Sequence, residues 1–464
     1  MKKAFFLTCL LGQWILAIQR LHFIPHLERP YFLNQQGDCV YAYNQDHHRR
    51  LQLLAFPRSA ADSVKIYEWH LPVGEQTLLV ENLQTQWYIF TQSTQDTLAL
   101  LKGYHLDQQG ELIHQAELMT IPTKGEKAAI YFHIQQVADG GNFLAFNRYP
   151  WTARQTKQLM VLQVEKDLTH KILLQYTYIA DQWPIAIRSL ADKNWVVAVK
   201  NYTAQKTKEW LKSHYSLLFL DSSKNIREVE LNIDYKRLDQ LILQPAGVNN
   251  YAIGYYTSGK SHAYEGWFSM KFGKTGDINF GLFYRFPSHF FQENEERVLY
   301  NSVIDLVSWK ENQLHCIAQE RFLSKKDRYT SLDQADAEEY NFSDIVYFTI
   351  NAQGDLTAAY RVQQHRTVQK NELLYNHFFP IWRGNHYGFL FLDRAKTHHY
   401  NRWVWAEPRG TFIHTKKTDV LNALLRPEER LLTYTYLQEK DYFYVFSSVK
   451  NGIHLLALNP YEDL

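Results

Sequence analysis

Two pairs of adjacent histidines, His47-His48 and His398-His399, are the first residues to consider as a metal site. Imidazole nitrogens are common ligands of zinc and other transition metals. Neighbouring residues of a strand point to opposite faces of the sheet, so an adjacent pair there rarely holds one ion. A zinc site also needs further ligands, which the sequence does not assign. We therefore expect solvated loop histidines at both pairs and no bound metal.

Carboxylates and nucleophiles give no stronger signal. The acidic run from Asp333 to Glu339 lacks the spacing of an EF-hand, which favours a solvated loop over a calcium site. The sequence contains no Gly-x-Ser-x-Gly elbow, no glycine-rich phosphate loop, no Cys-x-x-Cys pair and no His-Glu-x-x-His. We therefore expect no cofactor, and no motif assigns a reaction.

A repeat organises the chain. A short polar turn that leads into an apolar strand recurs eight times along the sequence. The turns are anchored at Asp38, Gln86, Asn142, Asn194, Asn250, Asn312, Asn385 and Asp441. Successive anchors lie 48 to 73 residues apart. Self-similarity at such a period is typical of repeat architectures.

A second turn follows in each unit and is clearest where it begins at Asp107, Asp221 and Asn351. Asn or Asp favours a turn because its side chain can accept from the backbone two residues on. Glycine follows at Gly110 and Gly354, where a positive φ costs it little. Each unit therefore predicts four strands, A to D, with short A–B and C–D turns and a longer B–C loop.

Four-stranded units of this length predict an all-β fold, a β-propeller of about eight blades, with seven as the alternative. Aromatic residues make up 15% of the chain, which also favours strands. The last unit ends its C strand at Leu458-Asn459, so Leu21–Pro25 is predicted to complete the last blade. Residues 18–464 are then a single domain. Helix signals are weak, and 418–426 is the best helical candidate.

The N-terminus predicts export. Lys2 and Lys3 precede an apolar run from Ala4 to Ala17, the pattern of a cleaved signal peptide over residues 1–17. The alternatives are an uncleaved anchor or a buried strand. Because no later stretch reaches 18 apolar residues, we expect no transmembrane span after signal removal. The protein is then periplasmic, cell-surface or secreted in a bacterium, and Cys39 and Cys316 are expected to be buried free thiols.

The predicted B–C loops share one face of the ring and carry many basic and aromatic residues. The candidate binding residues are Arg49, Arg50, Arg148, Tyr149, Trp151, Arg154, Lys206, Lys208, Trp210, Lys260, His262, Tyr264, Arg328, Tyr329, Arg394, His398, Arg402 and Trp403. The whole chain has a net charge of only +2, so it gives no general reason to expect nucleic acid as a partner. Such a face suits an acidic glycan or an acidic protein.

These patterns favour an exported, non-catalytic binding or scaffold propeller, monomeric by default. The alternative is a carbohydrate-active hydrolase or lyase with a central pocket. A hydrolase needs two carboxylates about 5–10 Å apart. The acids nearest the loop-rich face are Asp46, Glu265, Glu320 and Asp393. A third interpretation is that these loops are polar only because they are exposed.

Overall fold

The computed structural model describes residues 18–25, 27, 29–45, 50–123, 130–137, 142–147, 158–177, 181–190, 194–202, 214–221, 225–231, 236–246, 249–257, 263–273, 277–291, 296–324, 339–362, 364, 366–369, 378–383, 386–394, 401–409, 412–417, 425, 429–439 and 442–458. These residues form 35 β-strands and one short 3-10 helix, Ser288–Phe290, which confirms the predicted all-β class. Within this part of the chain, no helix is long and apolar enough to cross a membrane.

Thirty-two of the strands form eight antiparallel blades of four strands each, numbered here in chain order. Blade 1 comprises β2 (Pro30–Gln36), β3 (Cys39–Gln45), β4 (Arg50–Pro57) and β5 (Lys65–His70), and blade 2 comprises β6 (Glu75–Leu83), β7 (Gln86–Gln95), β8 (Leu98–Leu106) and β9 (Leu112–Pro122). Blade 3 comprises β10 (Phe132–Gln136), β11 (Phe143–Asn147), β12 (Gln158–Val164) and β13 (His170–Thr177), and blade 4 comprises β14 (Asp181–Ser189), β15 (Trp195–Tyr202), β16 (His214–Leu220) and β17 (Ile226–Leu231). In each of them the strand order follows the chain order, as predicted for strands A to D.

The remaining blades include the N-terminal strand. Blade 5 comprises β18 (Arg237–Ala246), β19 (Asn249–Thr257), β21 (Gly266–Phe272) and β22 (Ile278–Arg285), and blade 6 comprises β24 (Ser302–Lys310), β25 (Gln313–Ser324), β26 (Glu339–Asn351) and β27 (Leu356–Val362). Blade 7 comprises β29 (Phe379–Arg383), β30 (His386–Arg394), β31 (Asn401–Arg409) and β32 (Phe412–Lys417), and blade 8 comprises β33 (Arg430–Gln438), β34 (Phe443–Val449), β35 (Gly452–Leu458) and β1 (Ile18–Pro25). Three short strands lie outside these sets of four: β20 (Ala263–Tyr264) pairs with β23 (Leu299–Tyr300), and β28 (Arg366–Gln369) pairs with β26.

Strand β1 completes blade 8, as the sequence predicts. It pairs antiparallel with β35, from Ile18 opposite Leu458 to Pro25 opposite Gly452. A side chain at Gly452 would place its Cβ 2.4 Å from the carbonyl oxygen of Ile24, so the close approach of β1 requires glycine there. The first and last strands of the described chain therefore share one sheet.

Each blade buries both of its faces. In β7, Trp87 and Ile89 pack towards blade 1, whereas Tyr88 and Phe90 pack towards blade 3. This follows from the alternation of side chains along a strand. Eight hydrophobic clusters result, one at each boundary between consecutive blades, including the boundary of blade 8 with blade 1. The clusters close the ring and confirm eight blades.

The C–D turns show the predicted side-chain chemistry. The Asp107 carboxylate accepts from the backbone N–H groups two and four residues on, at 2.8 and 2.9 Å. The Asn351 side chain does the same at 3.0 and 2.8 Å. Gly110 and Gly354 have φ values of +81° and +93°, which other residues rarely adopt.

Glutamine side chains join the inner, A strands of neighbouring blades. In blade 8, Gln438 donates from Nε2 to the carbonyl of Trp382 (2.6 Å) and accepts at Oε1 from the Trp382 N–H (2.9 Å). In blade 1, Gln36 donates to the carbonyl of Asn82 in blade 2 (3.0 Å). The inner edge of a blade leaves backbone polar groups without a strand partner, and these amides satisfy some of them.

Three other sequence expectations concern the termini, the helix and the thiols. Residues 1–17 and most of the helical candidate at 418–426 lie outside the described residues; Leu425 lies in a bend. Cys39 and Cys316 are both free, as expected. Cys316 is fully buried, whereas Cys39 is only half-buried at the start of β3.

Candidate functional site

The two faces of the ring differ in the length of their connections. The A–B and C–D turns lie together on one face, called here the tight-turn face, and the B–C and D–A connections lie on the other, the loop face. The long B–C connections belong to the consecutive blades 3 to 7 and comprise residues 148–157, 203–213, 258–265, 325–338 and 395–400. Blades 2 and 8 have two-residue turns at 96–97 and 450–451. The B–C connections of blades 3 to 7 are therefore six to fourteen residues long.

Most of the predicted binding residues belong to B–C connections and lie outside the described residues. They are Arg49, Arg148, Tyr149, Trp151, Arg154, Lys206, Lys208, Trp210, Lys260, His262, Arg328, Tyr329 and His398. The backbones of Arg394, Arg402 and Trp403 are described, and they place these residues at the loop-face ends of β30 and β31, where Asp393 is paired with Arg402. Only Arg50 and Tyr264 have described side chains.

Those two side chains have different environments. Arg50 is partly exposed at the start of β4, with its guanidinium 3.8 Å from the Glu68 carboxylate. Tyr264 is fully buried, and its ring stacks on that of Tyr255 with centroids 4.6 Å apart. The reason is that Ala263 and Tyr264 form β20, which the core between blades 5 and 6 encloses. Tyr264 is therefore not an exposed stacking residue.

A polar cluster that the repeat pattern did not indicate lies at the loop-face ends of blades 4 to 6. We call it the loop-face network, and it comprises Lys200, Tyr215, Arg237, Asp239, Gln240, Tyr255, Tyr264, Ser302, Asp305, Glu320, Arg321, Asp344 and Arg361. Its members come from four different strand positions and are separated by up to 161 residues in sequence. The packing of neighbouring blades brings them together.

Asp239 is the centre of the network in blade 5. Its carboxylate lies 3.4 Å from the Lys200 ammonium and 4.0 Å from the Arg237 guanidinium. The hydroxyls of Tyr215 and Tyr264 donate to it at 3.4 and 3.3 Å. Two cations and two phenols thus surround one carboxylate that is almost completely buried. A polar residue within the apolar run of β18 was the only sequence signal for this centre.

Gln240 and Tyr255 connect this centre to blade 6. The Gln240 amide donates to the carbonyl of Ser302 and accepts from the Ile304 N–H at 3.0 Å. The hydroxyl of Tyr255 lies 2.8 Å from that of Ser302. Gln240 lies in a break of the β18–β19 register, between Asp239 and Ile242, and has a φ of +52°. A bulge of this kind redirects side chains out of the regular ladder.

Three acids and two arginines complete the network in blade 6. Asp344 contacts the Arg361 guanidinium, which also lies 3.9 Å from Glu320. Asp305, the extra residue of a bulge in β24, pairs with Arg321 at 2.5 Å. Burial raises the pKa of Glu320 to about 7 and that of Asp305 to about 6, although the nearby arginines oppose both shifts. Both acids are therefore partly protonated near neutral pH.

Blade 2 has a similar buried acid at the same face. Glu75, at the start of β6, accepts from the hydroxyls of Thr91 (2.6 Å) and Tyr104 (2.8 Å). The Lys102 ammonium lies 2.9 Å from the same carboxylate. In blade 8, the hydroxyl of Ser447 donates to Glu429 at 2.6 Å. Buried acids with nearby donors are therefore a recurring feature of the loop-face ends of the inner strands.

No group of three or more His, Cys, Asp or Glu side chains suited to a metal ion occurs within the described ranges. The histidine pairs at 47–48 and 398–399 and nearly all of the acidic run at 333–339 lie outside those ranges. The expectation of no bound metal at these positions stays a prediction.

The fold defines an eight-bladed β-propeller closed by its N-terminal strand. Neither a protein-family model nor a curated protein matches the sequence. Among solved structures, a puromycin hydrolase is similar over 83% of this chain and 50% of its own, with 9% identity and a TM-score of 0.40. Prolyl oligopeptidase B from Galerina marginata is similar over 92% and 55%, with 10% identity and a TM-score of 0.43.

An α-L-arabinofuranosidase from Fusarium graminearum is similar over 72% of this chain and 94% of its own, with 8% identity and a TM-score of 0.36. The chain spans about half the length of the puromycin hydrolase and the prolyl oligopeptidase. At these identities the likeness concerns the fold alone, and propellers host many unrelated functions.

Proposed function

We propose that this protein is an exported binding or scaffold propeller whose loop face captures an acidic glycan or an acidic protein. The observation that carries the proposal is the asymmetry of the ring: every connection of eight or more residues between the blade strands joins strand ends on the loop face, whereas the longest A–B or C–D turn, 58–64, has seven residues. Those connections contain most of the basic and aromatic candidates. Long loops on a rigid scaffold are the usual position of a binding surface.

A catalytic function has weaker support from the described acids. Glu320 has the raised pKa of a general acid, but its side chain is only 6% exposed and lies beside Arg361. Its Oε1 also accepts from the Tyr300 N–H at 3.2 Å. A glycosidase presents its two carboxylates to the substrate on both sides of the scissile bond. The burial of Glu320 and its pairing with Arg361 therefore indicate a structural role at the loop face rather than contact with a substrate.

Charge reversal on the loop face should abolish capture without unfolding the protein. We expect the Arg148→Glu, Lys206→Glu, Arg328→Glu and Arg402→Glu variant to lose at least tenfold in affinity for an acidic polysaccharide or acidic partner. Surface substitutions usually change stability by within about 0.5 kcal/mol each, so its unfolding midpoint should change little. Wild-type binding should also weaken with salt, because the Debye length falls from about 10 Å at 0.1 M to about 3 Å at 1 M.

A glycan array and a pull-down from envelope extract, each at low and high salt, measure this effect. The matched control is Arg227→Glu, which reverses a charge on the tight-turn face, where Arg227 pairs with Asp277 at 3.0 Å. Equal retention of ligand by the wild type and the fourfold loop variant would contradict the proposal.

Export is the second part of the proposal, and it is supported by the charged and apolar N-terminus. A precursor produced in a Gram-negative host should leave the cytoplasm and lose its first 17 to 20 residues, because Ala17 is a small residue at the end of the apolar run. Intact-mass measurement of the periplasmic fraction checks this. A product that remains cytoplasmic, or that is exported with Met1 retained, would count against a cleaved signal.

A further inference from the structure

We infer that His105 and His114 form a binding site for a divalent transition-metal ion, Zn²⁺ or Cu²⁺, on the tight-turn face of blade 2. The two imidazoles are the protein ligands, and water completes the coordination of the ion. Imidazole nitrogen is a good ligand for both metals. The site goes beyond the proposed function, because it lies on the face opposite the one assigned to ligand capture.

The register of blade 2 places the two histidines directly opposite each other. His105 of β8 is the antiparallel partner of His114 of β9. Such partners point to the same face of the sheet, with Cβ atoms about 4.5–5.5 Å apart. Because Zn–N bonds are about 2.0–2.1 Å long, two imidazoles at this spacing can reach one ion. Adjacent histidines of one strand differ in this respect, since they point to opposite faces.

The contacts of His105 leave one ring nitrogen available to a metal. Its Nε2 lies 3.0 Å from the side-chain oxygen of Gln86, which also accepts from the Tyr88 hydroxyl at 3.4 Å. An oxygen acceptor at Nε2 favours the tautomer that is protonated there, so Nδ1 keeps its lone pair. The ring also stacks on that of Tyr88, with centroids 4.7 Å apart. Metal-binding histidines usually have such a partner at their second nitrogen.

Both imidazoles are accessible to an ion from solvent. His114 is exposed and His105 is half-buried. Within the described part of the chain, the His114 ring has no hydrogen bond, so it can turn towards His105 without losing one. The register breaks directly beyond this pair, where Leu106 is opposite Leu112 and Ile113 is the extra residue. Bulges of this kind redirect neighbouring side chains.

The C–D turn of blade 3 lies against this part of blade 2. The Lys166 ammonium is 3.3 Å from the side-chain oxygen of Gln84, in the A–B turn of blade 2. Leu168 is buried, and a side chain at Gly103 would place its Cβ 3.1 Å from it. Asp167, between these two contacts, is thereby held next to the histidines.

Asp167 adds negative charge within electrostatic reach of both imidazoles. Burial and His114 lower the pKa of His105, and Asp167 opposes this shift. The N–H and hydroxyl of Thr169 donate to Oδ1 of Asp167 at 2.9 and 2.6 Å, which lowers the pKa of that carboxyl, and His114 lowers it further. No three ligating side chains are preassembled in the described ranges. Asp167 therefore attracts the cation through water, from outside its coordination shell.

Loss of either imidazole should weaken metal binding. We expect His105→Gln and His114→Gln each to raise the dissociation constant for Zn²⁺ about tenfold or more, because one imidazole cannot chelate. Calorimetric titration of EDTA-treated protein with ZnCl2 measures this value. Electron paramagnetic resonance of bound Cu²⁺ should show coupling to two imidazole nitrogens in the wild type and to one in either variant. MgCl2 should not bind, since Mg²⁺ prefers oxygen ligands.

A third substitution tests the role of Gln86 in positioning His105. Gln86→Leu should weaken Zn²⁺ binding about tenfold, because it removes the acceptor that fixes the tautomer. Gln86→Glu keeps an oxygen acceptor and should keep wild-type affinity. A merely structural role would not distinguish the two replacements in this way.

The matched control is His170→Gln, which should leave affinity unchanged. His170 is also exposed at the start of a D strand, but its partner is Val164, so it has no second imidazole opposite. All titrations are repeated in a background that lacks the adjacent histidine pairs. That background carries glutamine in place of His47, His48, His398 and His399.

Two results would overturn the site. One is wild-type affinity with two-nitrogen coupling in folded His114→Gln, and the other is the failure of the wild type to bind either ion. Thermal unfolding reports whether each variant folds, and the exposed His114→Gln decides the matter if His105→Gln does not fold. Either result leaves ligand capture by the loop face standing.

Discussion

Removal of strand β1, residues 18–25, is expected to lower the midpoint of thermal unfolding by several degrees, at about 1 °C for each kcal/mol lost in a chain of 464 residues. Blade 8 would keep only three strands, and β35 would become an exposed edge. Leu21 and Ile24 pack into the cluster between blades 8 and 1, and each apolar side chain of this size contributes about 1.5–3 kcal/mol on burial. The exposed edge should also promote association between molecules.

A glycine pair separates this effect from general damage. Gly452→Val should disturb the docking of β1, because even the added Cβ would lie 2.4 Å from the Ile24 carbonyl oxygen. Gly281→Ala is the matched control, since its nearest neighbour, Met270, would be at an ordinary 3.5 Å. Scanning calorimetry and sedimentation velocity measure both consequences. A deletion variant that unfolds at the wild-type midpoint and stays monomeric would show that β1 does not close the ring.

Replacement of Arg361 by Met is expected to destabilise the protein by about 3–5 kcal/mol at pH 8, because one partner of a buried ion pair is lost. Arg361 contacts Asp344 and lies 3.9 Å from Glu320, and its guanidinium also donates to the carbonyl of Phe290. Arg227→Met, which removes one partner of an exposed pair, should cost within about 1 kcal/mol. Urea unfolding monitored by tryptophan fluorescence measures both values.

The loss in Arg361→Met should be smaller at pH 5.5 than at pH 8. Burial raises the pKa of Glu320 from its usual 4.5 to about 7 in the folded protein. Because the folded state binds this proton more tightly, its contribution to stability is present below about pH 4.5 and is lost as the pH rises through about 7. At pH 5.5 Glu320 is mostly protonated and needs no cation.

Glu320→Gln provides the control for this pH dependence, since its amide cannot ionise. Stability of this variant should change less between pH 5.5 and pH 8 than that of the wild type. Equal slopes of unfolding free energy against pH in the two proteins would show that Glu320 does not titrate in this range.

The repeat could be predicted from sequence because its signals are local. The side chains of Asp107 and Asn351 act on backbone groups within four residues, and glycine at 110 and 354 is needed by the same turns. The closing role of β1 followed from the count of three strands, A to C, in the last unit up to Leu458. These inferences needed only the chemistry of single turns and the count of strands in each unit.

The candidate site could not be predicted in the same way, because its contacts join distant residues. Lys200 and Asp239 lie 39 positions apart and meet only at a blade boundary. The bulge at Gln240 changes which side chains face the next blade, and no local pattern marks it. Tyr264 belongs to a loop by sequence, yet a two-residue strand places it in the core. Burial at such positions depends on the neighbouring blade.

Hydrogen–deuterium exchange with and without an acidic polysaccharide tests most directly whether the loop face is the interaction surface. The account predicts slower exchange in peptides that cover 148–157, 203–213, 258–265 and 325–338. Peptides that cover the C–D turns at 107–111 and 352–355 should exchange as in the free protein. Protection of these turns without protection of the B–C connections would place the ligand on the opposite face and contradict the account.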